Sequence, residues 1–288
     1  MNSLININGE LFPPENAQIS IFDRGFLFGD SVYEVTRTYK GHPLLLEEHM
    51  DRLWRSASMI GMEMGFTREE LKAQISQTIE KLNPDTHIYI RIVVTRGVGE
   101  VNLDPDMAEG KNNLVIIAKE KEENPSWWYE KGVHALIANI ERTSKENLDP
   151  GIKSGNYLNN LLALSQAKKA NCFEAIMLNK EGFVAEGTTS NIWMVKDGQL
   201  ITPPLKAGLL EGITRKTLIH IAKKEKLPIV EENILPSELL AADEAFLTSS
   251  TKELVPIVKI DDQTIGSGTP GDSFKKIHKL YKEFVLLR

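Results

Sequence analysis

Residues 174–202 read EAIMLNKEGFVAEGTTSNIWMVKDGQLIT, and this stretch decides the fold class. The apolar runs on either side of Lys180–Gly182 form one β-hairpin. NIWMVK and QLIT form a second, turning at Asp197-Gly198, a dipeptide that supplies the positive φ angles of a two-residue hairpin loop. Hairpins this dense mean antiparallel pairing. Working outward, VHALIANI (133–140) and EAFLTSS (244–250) are further strands. Helices are expected over Ser154–Lys169, from the spacing of Leu158, Leu161, Leu162 and Leu164, and over Ile213–Lys226 and Asp272–Leu287. Strands and helices so mixed indicate an α+β fold, and a doubly wound parallel sheet fits poorly.

The N-terminal part has its own pattern. Leu4–Ile7 and Gln18–Phe22 are strand-like, and SVYEVTRTYKG (31–41) alternates into a Lys-Gly turn and returns through HPLLL. Glu47–Gly61 spaces Met50, Leu53, Trp54 and Ala57 as a helix does, and Thr67–Leu82 opens with a Thr-x-x-Glu capping box at Thr67 and Glu70. HIYIRIVVT (87–95) and NLVIIAKE (113–120) read as strands. The charged, proline-containing KEKEENPS (119–126) lacks apolar periodicity and is expected to be a linker. Two domains follow: 1–118, small, and 127–288, larger and carrying Lys153.

Composition excludes several functions. The 288 residues hold 34 Lys plus Arg against 40 Asp plus Glu, a net charge of -6 that attracts neither nucleic acid nor an anionic membrane. LVIIA (114–118), among the longest aliphatic runs, is far too short to span a bilayer. MNSLININGE has no secretory pattern, and Cys172 is alone, so a cytoplasmic location is expected. RGVGE (96–100) lacks the third glycine of a dinucleotide fingerprint. The six histidines form no metal-ligand spacing, so no metal is expected. His49 reads as helix packing, and Met59, Met62 and Met64 as core or rim filler.

Five short segments bear on chemistry. PGIKSGNYLNN (150–160) sets Lys153 after a strand and a Pro-Gly turn and before a helix. Most lysines are solvated surface charges, but one desolvated here would favour the neutral amine, a nucleophile toward aldehydes. HMDRL (49–53) puts Arg52 on an amphipathic helix, either a surface charge or a planar fork for phosphate. EGTTSN (186–191) offers a carboxylate after a strand, which could keep a heterocyclic nitrogen protonated. LEGITRKTL (210–218) and LTSSTKE (247–253) offer amides at a helix start and clustered hydroxyls, common as capping and turn chemistry but suited to an anion. Together they supply a Schiff-base amine, a pyridine-nitrogen partner and a phosphate cradle.

With DRGFLFGDSVYEV, EHMDRL, IKSGNYLNNLLA, EAIMLNKEGFVAEGTTSNIW, GITR and ADEAFLTSSTKELVPI in this order, the chain resembles the class IV (fold-type IV) aminotransferases over nearly its whole length. These include branched-chain and D-amino-acid aminotransferases and aminodeoxychorismate lyases. The resemblance implies a two-domain, D-amino-acid-aminotransferase-like fold, a homodimer and pyridoxal 5'-phosphate. Lys153 matches the lysine that binds the cofactor covalently and moves the proton. Glu186 matches the carboxylate on the pyridine nitrogen. Arg52, the amides of Ile213 and Thr214, and Ser250 with neighbouring Ser249 match the phosphate site. Tyr157 resembles the tyrosine that contacts the cofactor's phenolate, one residue closer to the lysine than in branched-chain enzymes.

For the substrate the resemblance is divided. DRGFLFGDSVYEV, with Phe28 and Tyr33, is closest to D-amino-acid enzymes, but their Arg-x-His carboxylate trap is replaced by Val101, Asn102 and Leu103. Tyr89 and Arg91 resemble the branched-chain enzymes, where Thr251 and Ser250 would join them at the substrate. On the other side, Phe28 and Val35 stand where those enzymes commonly have tyrosine and glycine. By alternation alone, Tyr89 and Arg91 are equally well strand packing and a surface charge. The expected function is transamination between a branched-chain or related aliphatic amino acid and a 2-oxo acid such as 2-oxoglutarate. The alternatives are a D-amino-acid aminotransferase, an aminodeoxychorismate-type lyase and a noncatalytic cofactor-binding protein.

Overall fold

Strands β1 (Ser3–Ile7), β2 (Glu10–Phe12), β3 (Ser31–Tyr39), β4 (His42–Pro43), β5 (His87–Thr95) and β6 (Asn113–Lys121) make an antiparallel sheet in the order β2-β1-β6-β5-β3-β4. The computed structural model describes residues 2–83 and 85–287. Its contacts divide them into two units, one of residues up to Glu123 together with Ile152–Asn156, the other of Asn124–Gly151 and Tyr157–Leu287.

In the first unit the period-2 alternation of β3 and β5 creates two unlike faces. Val32, Ile88, Ile90, Ile92 and Val94 pack against Met50, Leu53 and Ala57 of α2 (Leu46–Met59) and Leu71 and Ile75 of α3 (Arg68–Ile79). The opposite face carries Tyr33, Val35 and Arg37, in register with Val93, Arg91 and Tyr89. The Thr67 hydroxyl accepts from the Glu70 amide (3.2 Å) and the Glu70 carboxylate accepts from the Thr67 amide (2.7 Å), so the expected capping box opens α3. Helix α1 (Arg24–Phe28) is capped by Asp23.

Three expectations for this unit change. Gln18–Phe22 is not a strand, because the Ser20 hydroxyl accepts from the Phe22 amide (3.1 Å) and bends the chain before it can pair. The expected linker at 119–126 begins as strand, since β6 pairs with β5 out to Lys121; backbone pairing is indifferent to the charge of outward side chains. Lys153 belongs with the first unit rather than the C-terminal one. Its segment runs along the edge of β3, with Lys153 O accepting from the Tyr33 amide (2.9 Å) and the Gly155 amide donating to Ser31 O (2.8 Å). A Cβ at Gly155 would lie 2.1 Å from Ser31 Oγ, so only glycine allows this approach without displacing Ser31. Extended backbone here also delays the helix expected from Ser154.

The second unit contains α4 (Trp127–Lys131), β7 (Val133–Ile137), α5 (Leu158–Lys169), β8 (Glu174–Leu178), β9 (Val184–Gly187), β10 (Asn191–Lys196), β11 (Gln199–Thr202), α6 (Ile213–Lys224), β12 (Ile229–Glu231), α7 (Pro236–Leu240), β13 (Glu244–Ser249), β14 (Glu253–Ile260), β15 (Gln263–Thr264) and α8 (Asp272–Leu286). The sheet order is β12-β11-β10-β13-β14-β7-β8-β9, with β15 beside β14. Both expected hairpins, β8–β9 and β10–β11, are present. Three pairings, β7 with β14, β7 with β8, and β11 with β12, are parallel, so the sheet is mixed.

Ile176, Ile192, Leu247, Val255 and Ile257 fill one core of this sheet. Helix α5 packs through Ala163 and Ala167 against Leu136, Ala175 and Met177. Of the four leucines that signal the helix only Leu164 packs on this face; Leu158, Leu161 and Leu162 are 62%, 58% and 51% exposed. No helix among the described residues is long and apolar enough to cross a membrane.

Candidate active site

Two clusters of chemically capable side chains stand out, one in each unit. In the first unit, Lys153 Nζ lies 4.4 Å from the centre of the Tyr33 ring, and the Arg91 guanidinium carbon lies 4.1 Å from the same ring. Alternation places Tyr89 on this face of the sheet as well. Ser56 of α2 accepts from the Lys153 amide (3.1 Å), seating the lysine between sheet edge and helix. Lys153, Tyr33, Tyr89 and Arg91 are thus carried by one small framework, in which β3, β5 and the 152–156 segment are tied by main-chain bonds.

Arg52 is on the core side of the sheet, where it meets a residue the motif search overlooked. Glu34 is wholly buried, and its carboxylate accepts from Arg52 Nε (2.6 Å) and Nη2 (2.8 Å) as a two-point fork. His49, one turn earlier on α2, places Nδ1 2.6 Å from the same carboxylate. Burial alone would raise the Glu34 carboxyl; Arg52 and then His49 outweigh it and hold it well below the usual carboxylate range. Burial pushes His49 down against the pull of Glu34, and the charges of Arg52 and Lys153 add to that push. His49 is therefore a neutral ring with Nδ1–H donating to Glu34, a positioned polar group rather than apolar packing.

Phe28 ends α1 with the Arg24 guanidinium carbon 5.1 Å from its ring centre. Arg24, itself buried, donates to the carbonyls of Asn102 (2.7 Å) and Leu103 (3.1 Å) and to Asp30 (3.2 Å). The loop that lacks Arg-x-His is held through its backbone, with Val101 and Leu103 pointing outward at 68% and 77% exposure.

In the second unit Glu186, next to last in β9, is a buried carboxylate with two fixed donors, Arg142 Nε (2.7 Å) and the Leu210 amide (3.0 Å). Arg142 is a second residue that sequence reasoning missed. It is steered by Asn159, whose side-chain oxygen accepts from the Thr143 amide (3.2 Å) and whose nitrogen donates to Glu141 O (2.9 Å). The only sequence signal was the paired amides of GNYLNN. Ile213 and Thr214 open α6 behind Gly212, which as N-cap has no side chain to cover their amides. A Cβ on Gly212 would lie 1.9 Å from Asn191 Oδ1, so this backbone approach requires glycine. Tyr157 is the N-cap residue of α5 and makes no side-chain cap bond. Ser249 accepts from the Lys252 amide (3.2 Å), folding Ser250 and Thr251 into a tight loop after β13.

Each unit offers groups suited to pyridoxal phosphate: the first an amine on a segment bonded along β3, the second a carboxylate that accepts from a guanidinium and an amide, and amides left uncovered at the start of a 12-residue helix. Among the described residues no metal-binding group of His, Cys, Asp or Glu is present.

Comparison with known proteins gives one consistent result. The model of the amino-transferase class IV family matches residues 31–260. A putative branched-chain-amino-acid aminotransferase of Methanocaldococcus jannaschii is 39% identical, across 97% of this chain and 95% of that protein. A D-alanine aminotransferase of Bacillus licheniformis is 35% identical across 97% and 96%. The structure of a branched-chain amino acid aminotransferase from Thermobaculum terrenum in its PLP form superposes with a TM-score of 0.87 at 29% identity, covering 100% of this chain and 95% of that one.

Proposed function

The chain belongs to the class IV aminotransferases, and from that premise we propose that it exchanges the amino group between a branched-chain or related aliphatic amino acid and a 2-oxo acid such as 2-oxoglutarate. That it is a pyridoxal-phosphate-dependent aminotransferase follows from the family itself. When bound, the cofactor supplies an aldehyde that carries the amino group and a ring that takes up electron density from the substrate's Cα.

The chain's own residues divide the remaining work. Lys153 would hold the aldehyde covalently and, once displaced by a donor amine, carry the proton to and from Cα. Glu186, kept in place by Arg142 and the Leu210 amide, would keep a proton on the ring nitrogen. Arg52, the Ile213 and Thr214 amides and the Ser250 hydroxyl, with Ser249 shaping that loop, would hold the phosphate. Tyr33, Tyr89, Arg91, Phe28 and Thr251 would face the substrate, and Tyr157 the cofactor's ring.

The observation that carries the substrate reading is the 101–103 loop. Its outward side chains are valine and leucine, the carbonyls of Asn102 and Leu103 are committed to Arg24, and it contains no cation to trap a carboxylate. Arg91, whose guanidinium lies over the Tyr33 ring, is a cation on that face for an acidic side chain. Mixing the cofactor-loaded protein separately with L-leucine, L-glutamate and D-alanine, without acceptor, tests it. Both L-amino acids are expected to bleach the absorbance of the lysine-bound cofactor rapidly and D-alanine is not. Bleaching by D-alanine alone would establish the D-amino-acid reading that the Bacillus licheniformis relative represents.

The protein is read as a cytoplasmic homodimer. The single cysteine supports the compartment. Exposed Leu158, Leu161 and Leu162 on α5, and Ile21 and Phe26 at 67% and 68% exposure in the first unit, support self-association by offering apolar surface for a second copy to cover. Sedimentation equilibrium is expected to give twice the chain mass of 32.3 kDa; a monomer at micromolar concentration would refute the dimer.

A further inference from the structure

One buried carboxylate is used by none of these roles. Glu174, at the start of β8, is wholly buried. Its Oε1 accepts from the amides of Thr188 (3.1 Å) and Ala175 (3.1 Å) and from the Thr188 hydroxyl. Its Oε2 accepts from the hydroxyls of Thr189 (3.2 Å) and Ser190 (3.1 Å) and from the ammonium of Lys252 (3.1 Å). Lys252 Nζ also donates to the Thr189 hydroxyl (2.8 Å). Burial would raise this carboxyl, but Lys252 and the Thr188 hydroxyl outweigh it and keep it ionised.

The six donors come from two functional loops and one strand. Thr188, Thr189 and Ser190 form the turn between β9 and β10, one residue beyond Glu186. Lys252 lies between β13 and β14, immediately after Ser250 and Thr251. The register of β10 on β13 sets Asn191 opposite Thr248, so turn and loop lie at the same end of the paired strands. Both are held from other sides too: Asn160 donates to Thr188 O (2.8 Å), and Asn124 donates to Thr251 O (3.2 Å). Glu253, the first residue of β14, has a φ of 61°, a left-handed conformation unusual for glutamate, and takes two bonds from Lys282 of α8 (3.1 and 3.2 Å). Such a backbone persists where its surroundings over-determine it.

We infer that Glu174 and Lys252 are positioning residues for transamination: their ion pair locks the turn behind Glu186 to the Ser250–Thr251 loop and so sets the spacing at which ring and anionic groups are held. The inference rests on the roles proposed above for Glu186, Ser250 and Thr251. It assigns Lys252 no contact with cofactor or substrate; the ammonium acts through the loop that it anchors.

Lys252→Met removes the ammonium and keeps the apolar stem beside the Phe173 ring, whose centre lies 5.1 Å from Nζ. The variant is expected to melt within a few degrees of the wild type. Its KM for L-leucine is expected to rise roughly tenfold, the loss of one charge-assisted bond, with kcat changed far less. Inorganic phosphate, measured as a competitor of cofactor binding to the apoprotein, is expected to weaken by a similar factor. Lys252→Arg, which keeps the charge, is expected to restore both. A folded Lys252→Met protein with wild-type KM and phosphate affinity would overturn the inference. So would a failure of Lys252→Arg to recover either quantity. Borohydride reduction of the wild type followed by peptide mass mapping separates the two levels. Label on Lys153 with no effect of Lys252→Met defeats the positioning role alone, whereas no label on Lys153 defeats the site reading on which it rests.

Discussion

Turnover by Lys153→Ala is expected to fall by roughly 10²–10⁴-fold from the lost proton transfer alone, with little change in melting temperature. Both halves of that expectation come from where the segment's bonds originate. The contacts that seat residues 152–156 include three bonds made by the segment's own main chain, in which Lys153 O accepts from the Tyr33 amide, the Gly155 amide donates to Ser31 O and the Lys153 amide donates to Ser56 Oγ, and all three survive truncation of the side chain. What truncation removes is the amine 4.4 Å from the Tyr33 ring. Single-turnover measurements with L-leucine, with and without a small primary amine in solution, check this. Partial recovery by the added amine is the expected sign that a proton carrier is missing. Undiminished turnover without it would remove Lys153 from the mechanism.

Glu34→Ala is expected to destabilise the protein by about 3–5 kcal/mol, because it leaves Arg52 and the His49 ring buried without their shared acceptor. Glu34→Gln keeps the shape but loses the charge, and is expected to fall between the two. Urea unfolding monitored by circular dichroism measures both, and a Glu34→Ala protein within 1 kcal/mol of the wild type would contradict the ion-pair account. The same cluster sets an acid limit. Glu34 and His49 both titrate below their ordinary values in the folded state. The stability each contributes is therefore fully present above its unfolded value, about 6.5 for histidine and about 4.5 for glutamate, and is lost as pH falls below it. Wild-type stability is expected to begin declining below about pH 6.5 and to fall more steeply below 4.5; in His49→Asn the first decline disappears.

Local chemistry made part of this molecule readable. Asp197-Gly198 turns on two positive φ angles and Lys180–Gly182 on that of Gly182, and Thr67 with Glu70 caps α3, because each signal lies within a few residues. The leucines of α5 were sufficient for a helix but misleading about its buried face, since spacing reports periodicity and not which neighbour arrives; alanines face the sheet, with Leu164 alone of the four leucines. In β3 both alternating sets mix apolar with polar residues, SVYEVTRTY, so nothing local distinguishes the core face of Glu34 from the open face of Tyr33. Glu34 is explained by Arg52, 18 residues away, Arg142 by Glu186, 44 away, and Glu174 by Lys252, 78 away. Ion pairs between distant segments carry no periodicity. Lys153 itself stood out through its resemblance to a family pattern, and its place beside β3 depended on an edge pairing that no helix or hairpin signal predicts.

That pairing also makes the first unit unable to travel alone. The chain leaves it after Glu123 and returns for Ile152–Asn156 before leaving again. A fragment of residues 1–123 would present the edge of β3 at Ser31 and Tyr33 without its partner, an open template for sticking to other chains. Recombination that swapped only those residues with a relative would separate Tyr33 and Ser56 from the lysine segment they were shaped to receive. The segment and the unit therefore have to change together, although more than twenty residues of the other unit separate them along the chain.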